Sequence, residues 1–551
     1  MASARGDIFV QNDSAFEGKN NKDKMWTACF AAFSAALATV NFGYALGFTA
    51  EAELSEQFNS NNSAIDLSML NGNSSKGFSM CDPDFDIFAS VVALGALVGG
   101  LLAGILIDKI GRKTTIISTT IFYFLGWVLI ANSYCYYGKH GGIGDPEFCR
   151  KHSKQWYYSM LYCGRVITGI GVGMSSLVVP VYIAEIASAR MRGALGNINQ
   201  LSINFGFVVA YMTGYKQNLP TTAYVPIGIS ILNLILMVFF LPETPRYLLA
   251  NNRRHDAILA LYWLRGQDYP VEEECFEIEG HVNFGTQEQW QWKDLKSSTF
   301  YWPLIIALFL MFFQEFSGIN CILFYCTSIF FASGIGAQLK PGDTHILDTL
   351  TKGSEEYAIY VCFTLFIFTG ISCFLVDRFG RRKLLLSGSV GMFISLILVS
   401  VYVHSYPVYY NNVDDISNFF SKQENTTYAI LAFVCILCFI AMFSIGWGPL
   451  PWLLMSELFP IKTRGIATTI VTLSNWLFVF TTTSSFCFLV NKIHIYGAMW
   501  IFATIVFIGF FFTLFFVPET RGRPLEEVAE LFIRRKVLQV SILWTRHDAS
   551  M

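Results

Sequence analysis

"GILIDKIGRK" occupies residues 104–113, and "CFLVDRFGRRK" occupies residues 373–383. In both, an apolar run ends in an acid, a base, a glycine and a cluster of Arg and Lys. Asp108, Gly111 and Arg112 return as Asp377, Gly380 and Arg381, an offset of 269 positions. Two further pairs keep the same order. "VYIAEIASARMRG" (181–193) returns as "WLLMSELFPIKTRG" (452–465), with Glu185–Arg192 and Glu457–Arg464 each seven residues apart. "LPETPR" (241–246), with Glu243 and Arg246, returns as "VPETRG" (517–522), with Glu519. Three patterns repeated in order at nearly one offset describe a duplicated chain.

The solvent of that chain is lipid. Its 551 residues are 53% hydrophobic and only 14% charged, with a mean hydropathy of +0.45. A soluble chain carries roughly a quarter charged residues. Twelve stretches are long and apolar enough to span a bilayer: 27–48, 85–107, 114–133, 156–186, 196–215, 223–241, 302–333, 356–376, 384–405, 428–456, 466–490 and 495–517. The polar segment 242–301 divides them six and six, and its "RYLLANNRRHDAILALYWLRG" reads as a short amphipathic helix at the surface. The expected division is a tail over 1–25, halves over 26–241 and 302–517, a 242–301 linker of short amphipathic helices, and a tail over 518–551.

Lys and Arg bias sets orientation. Connectors after even-numbered spans hold Lys109, Arg112, Lys113, Arg378, Arg381, Arg382, Lys383 and Arg464, which places both termini in the cytoplasm. The sequons at Asn61, Asn73 and Asn425 fall on the opposite side, where glycosylation is expected; the one at Asn12 does not. No cleavable signal peptide is read at the polar amino end. Most of the 13 Cys lie in apolar segments, among them Cys29, Cys163, Cys362, Cys435 and Cys438, and read as core residues. Cys135 and Cys149 share a polar connector and form a candidate disulfide. No metal spacing, no GxxxxGK[ST] phosphate loop and no hydrolytic motif appear, so no cofactor, nucleotide, nucleic acid or enzyme chemistry is expected.

Two halves related by a parallel repeat are the plan of major facilitator transporters. "GRVITGIGVG" (164–173), "PVYIAEIA" (180–187), "PETPR", "QEFSGIN" (314–320), "GWGPLPWLLMSELFP" (446–460) and "PETRGRPLEE" join the repeats above. Together they resemble the sugar porter branch of that superfamily, over about residues 26 to 530. "FGYALGF" (42–48) and the 446–460 stretch are most similar to class III facilitative hexose transporters of animals. The resemblance implies an all-α membrane protein of twelve transmembrane helices in two pseudo-symmetric six-helix halves.

The same resemblance implies a cytoplasmic gate. Glu185, Arg112 and Glu243 would hold one half closed, and Glu457, Arg381 and Glu519 the other, with Asp108, Arg192, Arg246, Asp377 and Arg464 completing the charge set. The plainer reading of the bases is a topology signal, but that rule does not require the recurring acids. Arg165 lies inside an apolar span and is expected to pack structurally against a neighbouring helix or inner-face group. Gly169, Gly171 and Gly173 follow no strand and read as close helix packing.

A sugar needs groups that both give and take hydrogen bonds, as amides do, and flat rings for its C–H faces. The family's sugar contacts fall on Gln200, Gln314, Glu315, Asn320, Trp452, Asn475 and Trp476, with Tyr325 at the outer gate. On an ideal helix Ser317 and Asn320 share an arc with Gln314, while Glu315 turns away to its edge. Gly318 could break that helix. Relatives usually carry Gln at position 315, and proton symporters carry Asp where Ala45 stands. Glu315 would couple protons only if its protonation changed in each cycle. The expectation is facilitated diffusion of a hexose, most simply glucose, by alternating access through the plasma membrane, with Glu315 mainly neutral and tuning specificity. A proton-coupled hexose, polyol or disaccharide symporter using Glu315 is the alternative, and a non-transporting sugar receptor ranks below it.

Overall fold

The computed structural model describes residues 25–53, 83–133, 154–188, 191–215, 219–267, 269–287, 297–333, 346–405, 423–459 and 463–521. Asn61, Asn73, Cys135 and Cys149 lie outside the described residues, as do the side chains of Arg192, Asp377 and Asn425. Every regular element among the described residues is helical.

The first half comprises α1 (Met25–Glu53), α2 (Pro83–Lys109), α3 (Arg112–Ser133), α4 (Lys154–Ile186), α5 (Arg192–Gly214) and α6 (Leu219–Phe239). The linker forms α7 (Pro245–Ala250), α8 (Arg254–Arg265) and α9 (Val271–Gln287). The second half begins with a segmented span, α10 (Ser298–Glu315), α11 (Ile319–Phe324) and α12 (Cys326–Ser333), then α13 (Ile346–Phe379) and α14 (Arg381–Ser405). α15 (Gln423–Met442) passes through a π-helical turn, Phe443–Trp447, into α16 (Leu450–Leu458), and α17 (Arg464–Phe516) closes the half.

Among the described residues, ten helices are long and apolar enough to cross a membrane. α17 contains two spans joined at His494, whose φ of 60° and ψ of 172° interrupt the helix. α5 is more polar, with Asn197, Asn199, Gln200 and Asn204 along it. Counting α5 and splitting α17 restores the twelve expected spans. Their exposed perimeter is apolar: Ile105, Phe239, Phe374 and Leu431 are all more than half exposed. Cys163 and Cys438 are exposed with them, a correction to the core reading of the cysteines, whereas Cys362 and Cys435 are buried. An apolar side chain facing lipid loses nothing, so hydrophobicity does not distinguish core from perimeter here.

Within the first half α2 runs along α4, and α1 along α5. The first pair is brought close by glycine. A Cβ on Gly169 would sit 2.3 Å from the Val92 carbonyl oxygen, and one on Gly173 only 1.9 Å from that of Ala96. The glycine run is therefore a packing surface, as its sequence context suggests. The halves meet where α2 packs against α17 and α5 against α13, a contact that includes the Asn204 to Thr369 hydrogen bond of 2.7 Å.

The linker is a set of short helices, and its 246–266 stretch, read as one helix, is split into two before α9. Asn252, at φ 59°, ends the first. It docks by a buried guanidinium: Arg265 donates to both oxygens of Glu274 at 2.9 and 3.1 Å and to the Ile186 carbonyl at 2.9 Å. Thr27 adds a bond to the Leu264 carbonyl. This side of the bundle is the linker face, and the opposite side the far face.

Candidate functional site

The span containing "QEFSGIN" does not continue as one helix. α10 ends at Glu315, and Gly318 takes φ 85°, ψ 9° before α11 begins. Left-handed backbone is costly for a residue bearing a Cβ, and here a Cβ would lie 2.3 Å from the Phe502 ring. Ser317 steadies the turn through a 2.7 Å bond to the Gln314 carbonyl. The break changes the angular arithmetic. Glu315, which an ideal helix turns away from its polar neighbours, instead receives the side chain of Asn320 on Oε2.

Its other oxygen, Oε1, accepts from Asn475 Nδ2 of α17 at 2.8 Å. Glu315 is thus buried at the centre of the polar group and not at its edge; it is 5% exposed. Gln314 donates Nε2 to the Gly448 carbonyl at 3.0 Å. The π-helical turn places that carbonyl beside α10, with Gly448 N–H closing onto Phe443 O at 2.7 Å. Two polar atoms in this neighbourhood are buried without a protein partner, Oε1 of Gln314 and Nε1 of Trp476. The Trp476 ring faces Phe42 of α1, centroids 5.6 Å apart, so the group touches both halves.

Gln314, Glu315, Asn320, Asn475 and Trp476 therefore come together. Trp452 is half-buried against the apolar cluster of Met311, Phe459 and Val471. Gln200 is half-buried on α5, and no hydrogen bond joins it to the cluster. Gly448 and Phe42 were missed by sequence reasoning. Only the "WGP" interruption hinted that a free carbonyl would appear near Gly448.

Arg165 is fully buried and lies among neighbouring helices, away from the linker face. It donates to the Ala45 carbonyl and to Thr49 Oγ1, both at 2.6 Å, and to the Phe88 carbonyl at 3.4 Å. Its guanidinium also covers the Phe88 ring at 4.5 Å. No carboxylate pairs with it among the described residues, and the Ala45 side chain cannot supply one.

On the linker face the repeats build one motif twice. Arg112 Nη2 lies 3.1 Å from Glu185 Oε1, and Arg381 Nη2 lies 3.0 Å from Glu457 Oε1. Glu243 accepts the backbone N–H groups of Arg112 and Lys113 at the start of α3, and Glu519 accepts those of Arg381 and Arg382 at the start of α14. A carboxylate there satisfies helix-end donors and favours the positive end of the helix dipole. Gly111 and Gly380, at φ 92° and 86°, make room: a Cβ would meet the Glu243 or Glu519 carboxylate at 2.3 or 2.7 Å. Burial pushes the Glu243 carboxyl above its ordinary range, while the N–H bonds and Arg112 pull it back. Asp108 lies 3.6 Å from Arg112, Arg464 donates to the Phe459 carbonyl at 3.1 Å, and Arg246 is exposed.

These pairs join helices of one half and do not bridge the halves. Besides the Asn204–Thr369 bond, bonds that bridge the halves lie on the far face. Tyr325 donates to Asp86 at 2.6 Å, Tyr211 to the Leu323 carbonyl at 2.6 Å, and Thr327 to the Ala50 carbonyl at 3.3 Å. Asp86 and Tyr211 were not singled out from sequence.

Residues 31–532 match the family described as Sugar (and other) transporter. The chain belongs to that family. It is 30% identical over 94% of its length to a facilitated trehalose transporter, Tret1, of Bombyx mori, covering 89% of that protein. It is 33% identical over 91% of its length to the facilitated glucose transporter member 8 of solute carrier family 2 from Mus musculus, covering 94% of it. The inward open xylose transporter XylE of E. coli superposes with a TM-score of 0.65 at 22% identity, over 91% of this chain and 98% of that one. The likeness in fold places this sugar transporter family member, a multi-pass membrane protein, in the major facilitator fold.

Proposed function

We propose that the chain carries a sugar across its membrane by facilitated diffusion, the two halves rocking about the Glu315 cluster. The observation that carries this reading is the pair of unpartnered polar atoms, Gln314 Oε1 and Trp476 Nε1, beside a ring and three amides in an apolar bundle. A buried polar atom without a partner costs about 1–3 kcal/mol, and a polyhydroxylated ligand supplies the partner. Gln200, Gln314, Glu315, Asn320, Trp452, Asn475 and Trp476 are the proposed contacts. The relatives named for glucose and trehalose leave both sugars as candidates; a hexose suits the resemblance best.

Uniport is favoured over proton coupling because Arg165 meets a backbone carbonyl and a hydroxyl where a symporter would offer an acid. The second reading rests on Glu315, a buried carboxyl inside the polar cluster. In this scheme the linker face is cytoplasmic, with the linker and both tails on that side. The Arg112–Glu185 and Arg381–Glu457 pairs brace each half there, and Tyr325 is the outer gate. Glycosylation at Asn61, Asn73 and Asn425, a Cys135–Cys149 bridge and the plasma membrane belong to the same reading.

The test is counterflow of labelled glucose, and separately of labelled trehalose, in proteoliposomes with and without a pH gradient. Exchange that ignores the gradient in wild type and in Glu315→Gln supports uniport. Gradient-driven accumulation that the variant loses establishes Glu315 as the coupling group and overturns it.

A further inference from the structure

Three amides of the candidate site spend their donors on the protein itself. Gln314 gives Nε2 to the Gly448 carbonyl, Asn475 gives Nδ2 to Oε1 of Glu315, and Asn320 gives Nδ2 to Oε2. An amide presents an oxygen on one side and an NH₂ on the other, so an acceptor facing it selects the NH₂. A backbone carbonyl has no proton to give, and in this arrangement both oxygens of Glu315 accept. What remains unused is three carbonyl oxygens. Gln314 Oε1 is buried with no partner, and no described residue donates to Oδ1 of Asn320 or Asn475. The unpartnered donor beside them is Trp476 Nε1.

The geometry points to Glu315 as the positioning residue that sets the hydrogen-bond polarity of the site: by accepting from both Asn320 and Asn475 it leaves their oxygens for the ligand, so the sugar is read through hydroxyl hydrogens that it donates. This rests on the sugar-binding reading above. Glutamine at 315 would have nearly the same shape but one NH₂ of its own. That NH₂ needs the oxygen of Asn320 or Asn475, so one of the two turns over and offers its NH₂ to the ligand. A single isosteric exchange thus converts one acceptor of the site into a donor.

Fluorine and hydrogen in place of a sugar hydroxyl separate these cases. A deoxyfluoro sugar keeps a weak acceptor and loses the donated hydrogen; a deoxy sugar loses both. The experiment uses the full chain in proteoliposomes, with labelled glucose counterflow as the reporter. Monodeoxy and monodeoxyfluoro glucoses, substituted in turn at each ring position, are the competitors. In wild type, at the positions that meet the three amide oxygens, both analogues should compete about tenfold more weakly than glucose. In Glu315→Gln the deoxyfluoro analogue should recover several-fold at one position while the deoxy analogue does not.

The wild-type arm stands without any variant. If deoxyfluoro sugars there compete as well as glucose wherever deoxy sugars fail, the amides offer donors and the inference is wrong. If Glu315→Gln quenches tryptophan fluorescence with glucose as wild type does and keeps the wild-type ranking of analogues, Glu315 does not set the polarity. Exchange of glucose with either result leaves the transport reading intact. Absence of any glucose exchange by wild type overturns the hexose reading, and this inference with it.

Discussion

Tyr325 donates its hydroxyl to Oδ1 of Asp86 across 2.6 Å, joining the α11–α12 junction of the second half to the first turns of α2 in the first. Tyr325 is held by rings, with the Phe85 and Phe486 centroids 5.4 and 4.9 Å from its own. Phenylalanine at 325 keeps those ring contacts and removes the bond to a carboxylate, a loss of about 1.5–3 kcal/mol. The conformer open on the far face should rise in population accordingly. Modification rates of a single cysteine placed near Thr49 should increase at least several-fold in Tyr325→Phe. Asp86→Asn, which retains an acceptor, should show a smaller increase. Unchanged rates in both would remove this bond from the gate.

The Arg381–Glu457 pair is mostly buried, with side-chain exposures of 13 and 19%. Exposed pairs are worth about 0–1 kcal/mol, and coupled neighbours about 0.5–3 kcal/mol. A double-mutant cycle with Arg381→Ala and Glu457→Ala, read by thermal unfolding in detergent, should return coupling of about 1 kcal/mol or more. Arg112 with Glu185 should behave alike, because the geometry repeats. Coupling near zero at both sites would reduce these residues to topology signals.

Alanine at Gly318 meets two obstacles at once, the positive φ and the Phe502 ring. The backbone term alone is about 1–2 kcal/mol. Gly318→Ala should lower the melting temperature and abolish counterflow, since straightening the turn withdraws Asn320 from Glu315. Gly318→Ala combined with Phe502→Ala removes the clash but not the strain and should recover only part of the stability. Full transport by the single variant would show that the break is dispensable.

Glu243 gives a pH signature outside the membrane. Its carboxyl is raised above an ordinary value of 4.5, chiefly by burial. A raised acid binds its proton more tightly folded than unfolded. Its stabilisation is therefore complete below the unfolded value and is lost as pH rises through the folded one. Glutamine has no such loss and keeps Oε1 for the N–H groups of Arg112, Lys113 and Thr244. The wild-type melting temperature should fall relative to Glu243→Gln as pH climbs from about 4.5 towards neutrality. A difference of the opposite sign would mean that the N–H bonds outweigh burial.

Much of the candidate site was legible residue by residue. Gln314, Asn320, Asn475 and Trp476 stand out as polar or amphipathic groups within apolar spans, and the structure gathers them. The position of Glu315 was not legible, because a helical wheel assumes one continuous helix and Gly318 ends it. Asp86 and Tyr211 were passed over for a different reason: their partners lie 239 and 112 residues away in the chain, and no local pattern marks them. The linker-face charges were visible as a set. That they brace each half without bridging the two was not.

Composition, span length and an internal repeat by themselves determined a twelve-span duplicated membrane protein and the location of its charged turns. They do so because a bilayer demands apolar segments of a set length, and because duplication copies capping residues along with helices. Which apolar face meets lipid, where helices break, and which amide faces which acceptor were decided only by the tertiary structure. In a lipid solvent hydrophobicity carries no inside–outside signal, and hydrogen-bond pairing depends on side chains brought together from distant parts of the chain.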